Sequence, residues 1–136
     1  MTGMQAIQRF VDKKVTCYMA TVEGDSPRVR PMATAIVEEA SLLFATSGSS
    51  DKMQQILANP KVELCYMGPD WDHVRIRGEA RRVDDDKTRQ YVWDEVPQLQ
   101  QYWESADAED YVLIRVHIKE VLYMEVADKE YRSLEV

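Results

Sequence analysis

Residues that build disulfides and metal centres are scarce in this sequence. It contains two cysteines, Cys17 and Cys65, and two histidines, His73 and His117. The cysteines lie far apart inside apolar runs and lack CxxC spacing, so we interpret them as buried thiols of a reducing cytoplasm. The histidines fall on different predicted strands without a ligand-type neighbour, so the sequence predicts no metal site. The HExxH, GxSxG and Walker patterns are also absent.

Excess positive charge and long apolar runs are missing as well. The formal net charge is −7, which argues against general nucleic-acid binding, because that affinity comes mostly from neutralising phosphates. No stretch is long and apolar enough to span a bilayer. The N-terminal segment lacks the apolar run of a signal peptide, and its pattern favours an amphipathic helix. We therefore expect a cytoplasmic protein that binds neither nucleic acid nor membranes.

What the sequence does contain is sufficient for one packed domain. It has 136 residues, of which 45% are hydrophobic, and a chain of this size buries roughly two-thirds of its unfolded surface. There is no internal repeat, low-complexity tract or evident linker. We therefore predict a single domain covering residues 1–136.

Runs of β-branched and aromatic residues, separated by turn residues, predict a mainly β fold with a few helices. The predicted strands cover residues 15–23, 28–38, 42–46, 61–68, 73–83 and 111–126. The predicted helices cover the N-terminal segment, residues 50–58 and residues 84–103, and Pro97 is expected to bend or break the last one. Short connections favour antiparallel pairing, and six such strands suggest a small closed or partly closed barrel.

Two of the predicted strands alternate between apolar and polar residues, which indicates one dry face and one wet face. In strand 111–126 the dry face is expected to carry Val112, Ile114, Val116 and Ile118. The wet face of strand 111–126 is expected to carry Leu113, Arg115, His117 and Lys119. The wet face of strand 73–83 is expected to carry His73, Arg75 and Arg77.

The segment "ATSGSSDKMQQI", residues 45–56, is typical of an anion site. An apolar strand ends there, a small-residue turn follows, and a helix begins with Lys52 in its first turn. Thr46, Ser47 and Ser50 offer hydroxyls, and the backbone amides after Gly48 are expected to form a positive concavity. The alternative is that the serines only cap the helix and that the lysine only offsets its acidic neighbour.

Two further basic segments accompany this turn. Arg28 and Arg30 are expected on one side of the second strand, where Pro31 predicts an edge or a bulge. Arg75, on the fifth strand, is the third cationic element. Arginines on the wet face of a strand are usually only solvated, which is our interpretation of Arg77.

The order and spacing of "PRVRPM", "ATSGSSDK", "NPKVELCY" and "VRIRGEA" resemble the pyridoxamine 5′-phosphate oxidase-like, FMN-binding split-barrel superfamily. The resemblance extends over about residues 5–126 and is greatest to the short bacterial general-stress-protein and nitroimidazole-reductase-like members. It implies a six-stranded antiparallel split β-barrel that forms a homodimer. It also implies FMN in clefts at the dimer interface, so that the anion would be the flavin phosphate.

The resemblance further implies which residues contact FMN. Those implied at the phosphate are Arg28 and Lys52, with Ser50 assisting. Those implied along the isoalloxazine edge are Val29, Arg30, Pro31 and Met32. Those implied beside the ribityl chain and ring are Ala45, Thr46 and Ser47. His73 stands where the oxidases carry a glutamine that reaches the flavin, and Arg75 follows on the same strand face.

Three departures from the family pattern affect the expected function. Asp51 stands where the oxidases have an arginine, which should weaken FMN binding. Phe44 and Ala45 replace the aromatic–histidine pair of many nitroimidazole-type relatives. The segment "KEYRSLEV" lacks the arginine and histidine with which oxidases hold pyridoxamine phosphate, so we do not predict vitamin B6 synthesis.

The sequence therefore favours an FMN-dependent oxidoreductase acting on a small-molecule acceptor, with no residue assigned as a catalytic acid or base. One alternative is a flavin-binding stress or sensor protein without turnover. Another is the same fold with deazaflavin F420 or haem as its ligand.

Overall fold

The computed structural model describes residues 1–136, which form three α-helices, eight β-strands and one short 3₁₀ helix. The helices are α1 (Gly3–Asp12), α2 (Asp51–Ala58) and α3 (Asp86–Glu95), and the 3₁₀ helix is Pro97–Gln101. The strands are β1 (Cys17–Glu23), β2 (Ser26–Met32), β3 (Thr34–Val37), β4 (Ser41–Ser47), β5 (Lys61–Met67), β6 (His73–Val83), β7 (Tyr111–Met124) and β8 (Arg132–Leu134).

The strands form one curled antiparallel sheet in the order β2-β1-β5-β6-β7-β4-β3, and β8 pairs with β7. β2 and β3 stand at the two ends of this order and do not pair with each other, although only Ala33 separates them along the chain. The barrel is therefore open at one seam. This confirms the predicted mainly β, antiparallel split-barrel class, with eight strands instead of six.

The two additional strands have separate causes. The predicted strand 28–38 is interrupted at Ala33, because β2 pairs with β1 at one end of the sheet while β3 pairs with β4 at the other. Pro31 lies within β2 at the sheet end, where its missing amide donor costs no sheet hydrogen bond on the free side. The second additional strand, β8, follows the last predicted strand, which was expected to end at residue 126. β4 covers only the first half of the 14-residue β7, so β8 pairs with the remaining edge at residues 121–123.

The interior of the barrel is the larger of two apolar clusters, and α1 closes one end of it. α1 begins at a capping box in which Thr2 Oγ1 accepts from the Gln5 amide at 3.1 Å and Gln5 Oε1 accepts from the Thr2 amide at 2.9 Å. Its apolar side buries Ile7 and Phe10 against the strands. The predicted amphipathic N-terminal helix is thereby confirmed.

The smaller cluster lies on the other face of β4 and β7, under α3 and the 3₁₀ helix. Leu113 was expected on the wet face of its strand, but it is fully buried there beside Val92 and Leu99. The wet-face prediction for Leu113 is wrong because α3 covers this half of β7. The predicted helix 84–103 is interrupted as expected, since α3 ends at Glu95 and the 3₁₀ helix begins at Pro97.

The helix α2 joins β4 to β5 and packs against β1 and the barrel interior. The spacing of Met53, Ile56 and Leu57 in the sequence predicts that all three share one helix face, and Met53 and Ile56 are buried. The same pattern predicted Leu57 on the buried face, but Leu57 is 61% exposed and Gln55 is buried instead. A polar side chain therefore faces inward beside β2. None of the helices has the length and apolar character that crossing a membrane requires.

Candidate functional site

A cleft of about 720 Å³ separates β2 from the start of α2. Its charged and polar lining residues are Glu23, Arg28, Arg30, Ser50, Asp51, Lys52 and Gln55, and Val29 also lines it. The cleft exists because alternate residues of β2 face α2, which starts directly after the small-residue turn. The structure thus brings together five residues that the sequence placed at the cofactor: Arg28, Val29, Arg30, Ser50 and Lys52.

Ser50 carries the most informative side chain of the cleft. Its hydroxyl is buried and has no hydrogen-bond partner. It occupies the N-cap position of α2 but accepts no hydrogen bond from the helix, so the interpretation that this serine only caps is wrong. A buried hydroxyl without a partner costs about 1–3 kcal/mol, so this oxygen is a candidate to bond to a group that enters the cleft, such as a water molecule or a ligand.

Lys52 is half-buried beside this serine. Its ammonium donates to Thr46 Oγ1 at 2.8 Å, which ties the helix start to the end of β4. Burial, followed by the charge of Arg30, lowers the pKa of Lys52, whereas Asp51 acts in the opposite direction. The lysine therefore carries a partly desolvated charge that an added anion would stabilise.

Arg30 is held in place by the interior of the cleft. Its guanidinium donates to Gln55 Oε1 at 2.7 Å, to Thr21 Oγ1 at 2.8 Å and to the Met19 carbonyl at 3.2 Å. The Thr21 hydroxyl also donates to Gln55. Burial lowers the pKa of Arg30. Sequence analysis missed Gln55 and Thr21, and the only available signal was a glutamine between the apolar positions of α2.

Arg28 lies at the open side of the cleft and pairs with Glu23. The two side chains meet at 2.8 Å and both are about half-exposed, at 54%. The Arg28 hydrogen bond holds the pKa of Glu23 below its usual range. The cleft holds three cations, which are Arg28, Arg30 and Lys52. It also holds two carboxylates, which are Glu23 and Asp51. It is net positive within a chain of net charge −7.

Asp110 occupies the other side of the small-residue turn. Its carbonyl accepts from the Gly48 amide at 2.9 Å, and its carboxylate accepts from the Ser49 amide at 3.3 Å and from the Ser47 hydroxyl at 2.6 Å. The Ser47 bond is the main reason that the pKa of Asp110 lies below its usual range. The turn amides that were expected to form a free concavity are therefore already bonded. The Met53 amide also has an acceptor, the Ser50 carbonyl at 3.1 Å. The anion-binding groups that remain are side chains and the amides of Asp51 and Lys52, which have no acceptor within the helix.

The remaining residues implied at the ribityl chain and along β2 are divided between faces. Thr46 is buried and bonds to Lys52, at the edge of the cleft. Ala45 packs with the α3 cluster, and Ser47 shares that face of β4 because side chains alternate. On β2, Met32 is buried in the barrel and Pro31 faces outward beside Tyr18 of β1.

His73 and Arg75 lie away from the cleft of their own chain. They belong to β6, which β1 and β5 separate from β2, a distance of about 14 Å at usual strand spacing. His73 was expected on a wet face but is buried, because the Tyr131 hydroxyl lies 2.9 Å from its Nε2 and the Trp71 carbonyl 2.6 Å from its Nδ1. Arg75 pairs with Glu63 at 2.7 Å.

The outer face of β1, β2 and β5, together with the β5–β6 turn, exposes several large apolar side chains. We define this outer apolar surface by Tyr18, Val29, Met67 and Trp71, which are 46%, 69%, 43% and 59% exposed. Several exposed large apolar side chains on one side of the molecule make this a candidate interaction surface. Arg75 lies on this face as well, since it is opposite Cys65, which is in turn opposite Tyr18.

An antiparallel barrel with one open seam, a cationic cleft at its end and an apolar outer face defines the class of small split-barrel proteins. The family model described as pyridoxamine 5′-phosphate oxidase matches residues 4–125. The chain belongs to this family, and the resemblance found in the sequence is confirmed.

A curated relative is the pyridoxine/pyridoxamine 5′-phosphate oxidase of Chromobacterium violaceum, which is 36% identical over 81 residues. That match covers 58% of this chain and 38% of the relative. The chain thus aligns with well under half of the length of the oxidase.

Solved structures share the fold over nearly the whole chain. A NimC/NimA family protein of Clostridium acetobutylicum is 25% identical with a TM-score of 0.86, covering 98% of this chain and 92% of that one. An FMN-binding, pyridoxamine 5′-phosphate oxidase-related protein of Nostoc punctiforme is 19% identical with a TM-score of 0.78. The match covers 95% of this chain and 87% of that one. A haem-binding protein of Mycobacterium smegmatis is 13% identical with a TM-score of 0.78. The match covers 99% of this chain and 58% of that one. The last two similarities establish the fold alone.

Proposed function

We propose that this protein binds FMN, with the flavin phosphate in the cleft between β2 and α2, and that it serves as a flavin-dependent oxidoreductase toward a small acceptor. The observation that carries the proposal is the buried, unpaired hydroxyl of Ser50 among the cations Arg28, Arg30 and Lys52. Membership of the pyridoxamine 5′-phosphate oxidase family supports it.

The residues of the cleft fit a phosphate group. Lys52 and Arg28 supply charge, and Ser50 donates a hydrogen bond that it makes to no protein group. Arg30, already bonded to Gln55, adds positive potential and shapes the wall. Glu23 and Asp51 stand in the same cleft and reduce its affinity for anions.

The strand β2 fits the isoalloxazine edge because it ends the sheet. Only one of its two edges is paired, and backbone groups alternate between the two edges along a strand, so every second residue of β2 presents free backbone groups that can bond to polar ring atoms. When bound, FMN would supply the two-electron redox chemistry, and these residues would bind and orient it. No side chain of the cleft is assigned as an acid or base.

The second half of the proposed site comes from a homodimer. His73 and Arg75 do not reach the cleft of their own chain, but Arg75 shares the outer face that carries Tyr18 and Val29. Pairing two chains through the outer apolar surface would bury that surface and present these residues to the partner's cofactor. Trp71, at the margin of the same surface, is the aromatic candidate beside that cofactor.

The alternatives differ in how well the cleft fits them. Haem needs an axial ligand, but both ring nitrogens of His73 are engaged by protein groups. The residues that line the cleft include no histidine, cysteine, methionine or tyrosine that could serve as this ligand. Deazaflavin F420 also carries phosphate and fits the same cations. A flavin-binding stress or sensor protein would use the same cleft without turnover.

The visible spectrum of the purified protein tests the cofactor directly, because flavin, deazaflavin and haem absorb differently. Titration with FMN and with riboflavin then tests the cleft, and we expect FMN to bind much more tightly. Equal affinity for both would place the phosphate outside the cleft and contradict the proposal. Reduction by NADH or NADPH, followed by addition of a quinone or nitroaromatic, separates an enzyme from a flavin carrier.

A further inference from the structure

A second cavity, of about 460 Å³, lies at the open seam between β2 and β3. We call it the seam cavity. Its walls are more apolar than polar and come from the end of α1, the link between the two strands and the end of α3. The apolar residues that line it are Val11, Val15, Ala33, Ala35 and Val96. A cavity of this size and lining suits a small organic molecule.

The seam cavity has no net charge. Its only charged lining residues are Lys14 and Glu95, one of each sign and both exposed. This contrasts with the cationic cleft, where three cations face the ligand. The seam cavity therefore attracts phosphate or carboxylate groups less than the cationic cleft does, and it favours an uncharged ligand.

Two hydroxyls supply polarity within the seam cavity. Thr34 Oγ1 and the Tyr66 hydroxyl are hydrogen-bonded to each other, and both line the cavity. Tyr66 is 1% exposed, and burial is the main reason that its pKa is raised, so it stays protonated at neutral pH. The bond between them uses one hydroxyl proton, which leaves the other for a further acceptor. A carbonyl oxygen of a ligand is such an acceptor.

The seam cavity begins where the proposed flavin site ends. Arg28, at the phosphate, and Met32, at the ring edge, lie four residues apart on β2, or about 13 Å along a strand. Ala33 follows directly and lines the cavity. A flavin lying along β2 would thus place its ring beside the cavity mouth.

We propose that the seam cavity binds the electron acceptor and that the acceptor is an uncharged aromatic carbonyl compound of the quinone class. This inference rests on the proposed function, since the reduced flavin is the electron source. In the reaction two electrons and two protons leave the reduced flavin. The quinone takes them up and becomes the hydroquinone, while the flavin returns to its oxidised form.

The first test measures binding rather than turnover. Menadione, an uncharged two-ring quinone, is titrated into the ¹⁵N-labelled, FMN-loaded protein, with a sulfonated naphthoquinone as the charged counterpart. We expect menadione to shift the amide signals of Ala33, Thr34 and Ala35, and we expect the sulfonate to shift them far less. Absence of shifts at the seam, or equal binding of both probes, would overturn the proposal.

The second test uses paired variants. Ala33→Phe should fill the cavity and weaken menadione binding about tenfold or more, with FMN affinity unchanged within about twofold. Ala40→Phe makes the same change at an exposed alanine beyond the other end of β3 and should alter neither. Thr34→Val should weaken menadione binding about three- to tenfold, and Thr34→Ser should restore it.

The third test measures how fast menadione reoxidises the dithionite-reduced protein under anaerobic conditions. The menadione concentration that gives the half-maximal rate should rank the variants in the same order as their menadione affinities. If Ala33→Phe weakens FMN as much as menadione, the cavity belongs to the flavin and the inference is wrong. If wild-type protein binds no FMN, the proposed function fails, and this is read from the FMN titration alone. If FMN binds but menadione does not reach the seam, only the acceptor inference fails.

Discussion

At the scale of single residues, the buried polar side chains of the cleft differ in whether protein groups satisfy their hydrogen bonds. Gln55 and Thr21 are buried and bonded to Arg30, so they shape the cleft. Ser50 is buried and bonded to nothing. Lys52 is half-buried and holds one neutral partner, Thr46. This pattern of satisfied and unsatisfied groups is the reason that we propose the anion site at the start of α2.

Replacing Lys52 with alanine should weaken FMN binding about ten- to hundredfold, because it removes one charge-assisted contact worth about 1.5–3 kcal/mol. Riboflavin, which has no phosphate, should bind the variant and the wild type alike. Fluorescence-quench titrations with both ligands measure this. Lys61→Ala, which removes the same charge from an exposed position of β5, is the control. Unchanged FMN affinity in Lys52→Ala would place the phosphate elsewhere.

Replacing Asp51 with arginine should tighten FMN binding, because it removes an anion from the cleft and adds a cation. The gain should be largest at low salt, where exposed charges are least screened. Asp51→Asn should give a smaller gain, since it removes only the anion. Titrations of the three proteins at low and high salt check the order. If Asp51→Arg binds FMN more weakly than wild type, the carboxylate has a structural role that the cleft geometry does not reveal.

At the scale of elements, local patterns predicted most of the fold and failed where one element covers another. The alternation in β7 indicated a wet face, but Leu113 of that face is buried because α3 packs over it. The spacing in α2 favoured Leu57, yet Gln55 is buried because its partners, Arg30 and Thr21, come from distant strands. Neither outcome is encoded locally, so neither could be predicted from its own segment.

The same reasoning explains the strands that sequence analysis did not separate. Residues 28–38 were predicted as one strand because Pro31 indicated an edge or a bulge but not a break. The division at Ala33 follows only from the closure of the sheet. For the site, the basic and hydroxyl residues of β2 and α2 were predictable because their order matches a known family. Glu23 and Asp110 were not, since their roles depend on Arg28 and Ser47 lying beside them in space.

An ion pair between Glu38, beside the β3–β4 turn, and Arg115 of β7 should make stability depend on pH. The guanidinium contacts both carboxylate oxygens, at 2.7 and 3.0 Å, and lowers the pKa of Glu38 below its usual 4.5. A lowered carboxylate pKa stabilises the fold above the unfolded value, and that contribution is lost as the pH falls through the folded value.

We therefore expect Glu38→Gln to lower the free energy of unfolding by about 1 kcal/mol at pH 7, and we expect the difference from wild type to shrink below about pH 4. Urea unfolding at several pH values measures this. Glu39→Gln, at the exposed neighbouring residue, should change stability little at any pH. A Glu38→Gln effect that stayed constant down to pH 3 would show that packing rather than charge is responsible.

At the scale of the whole molecule, the protein is asymmetric in charge and in polarity. A chain of net charge −7 concentrates three cations in one cleft, while the outer faces of β1 and β2 expose Tyr18 and Val29 to solvent. His73 and Arg75 complete a cofactor site only if another chain brings its cleft to them. The exposed apolar side chains and the distance of His73 and Arg75 from the cleft are the observations on which we base the proposed two-fold pair.

We therefore expect a homodimer, with a mass by light scattering twice that of the single chain at micromolar concentration. Tyr18→Asp places a charge in the middle of the outer apolar surface, so it should produce monomers, because a buried unpaired carboxylate costs several kcal/mol. As the Tyr18→Asp variant loses the ability to dimerise, its FMN affinity should fall too, although Tyr18 does not line the cleft. Tyr102→Asp, at a tyrosine that is 73% exposed on the loop after α3, is the matched control and should remain dimeric with unchanged affinity. A monomeric wild type that still holds flavin would contradict both the dimer and the shared site.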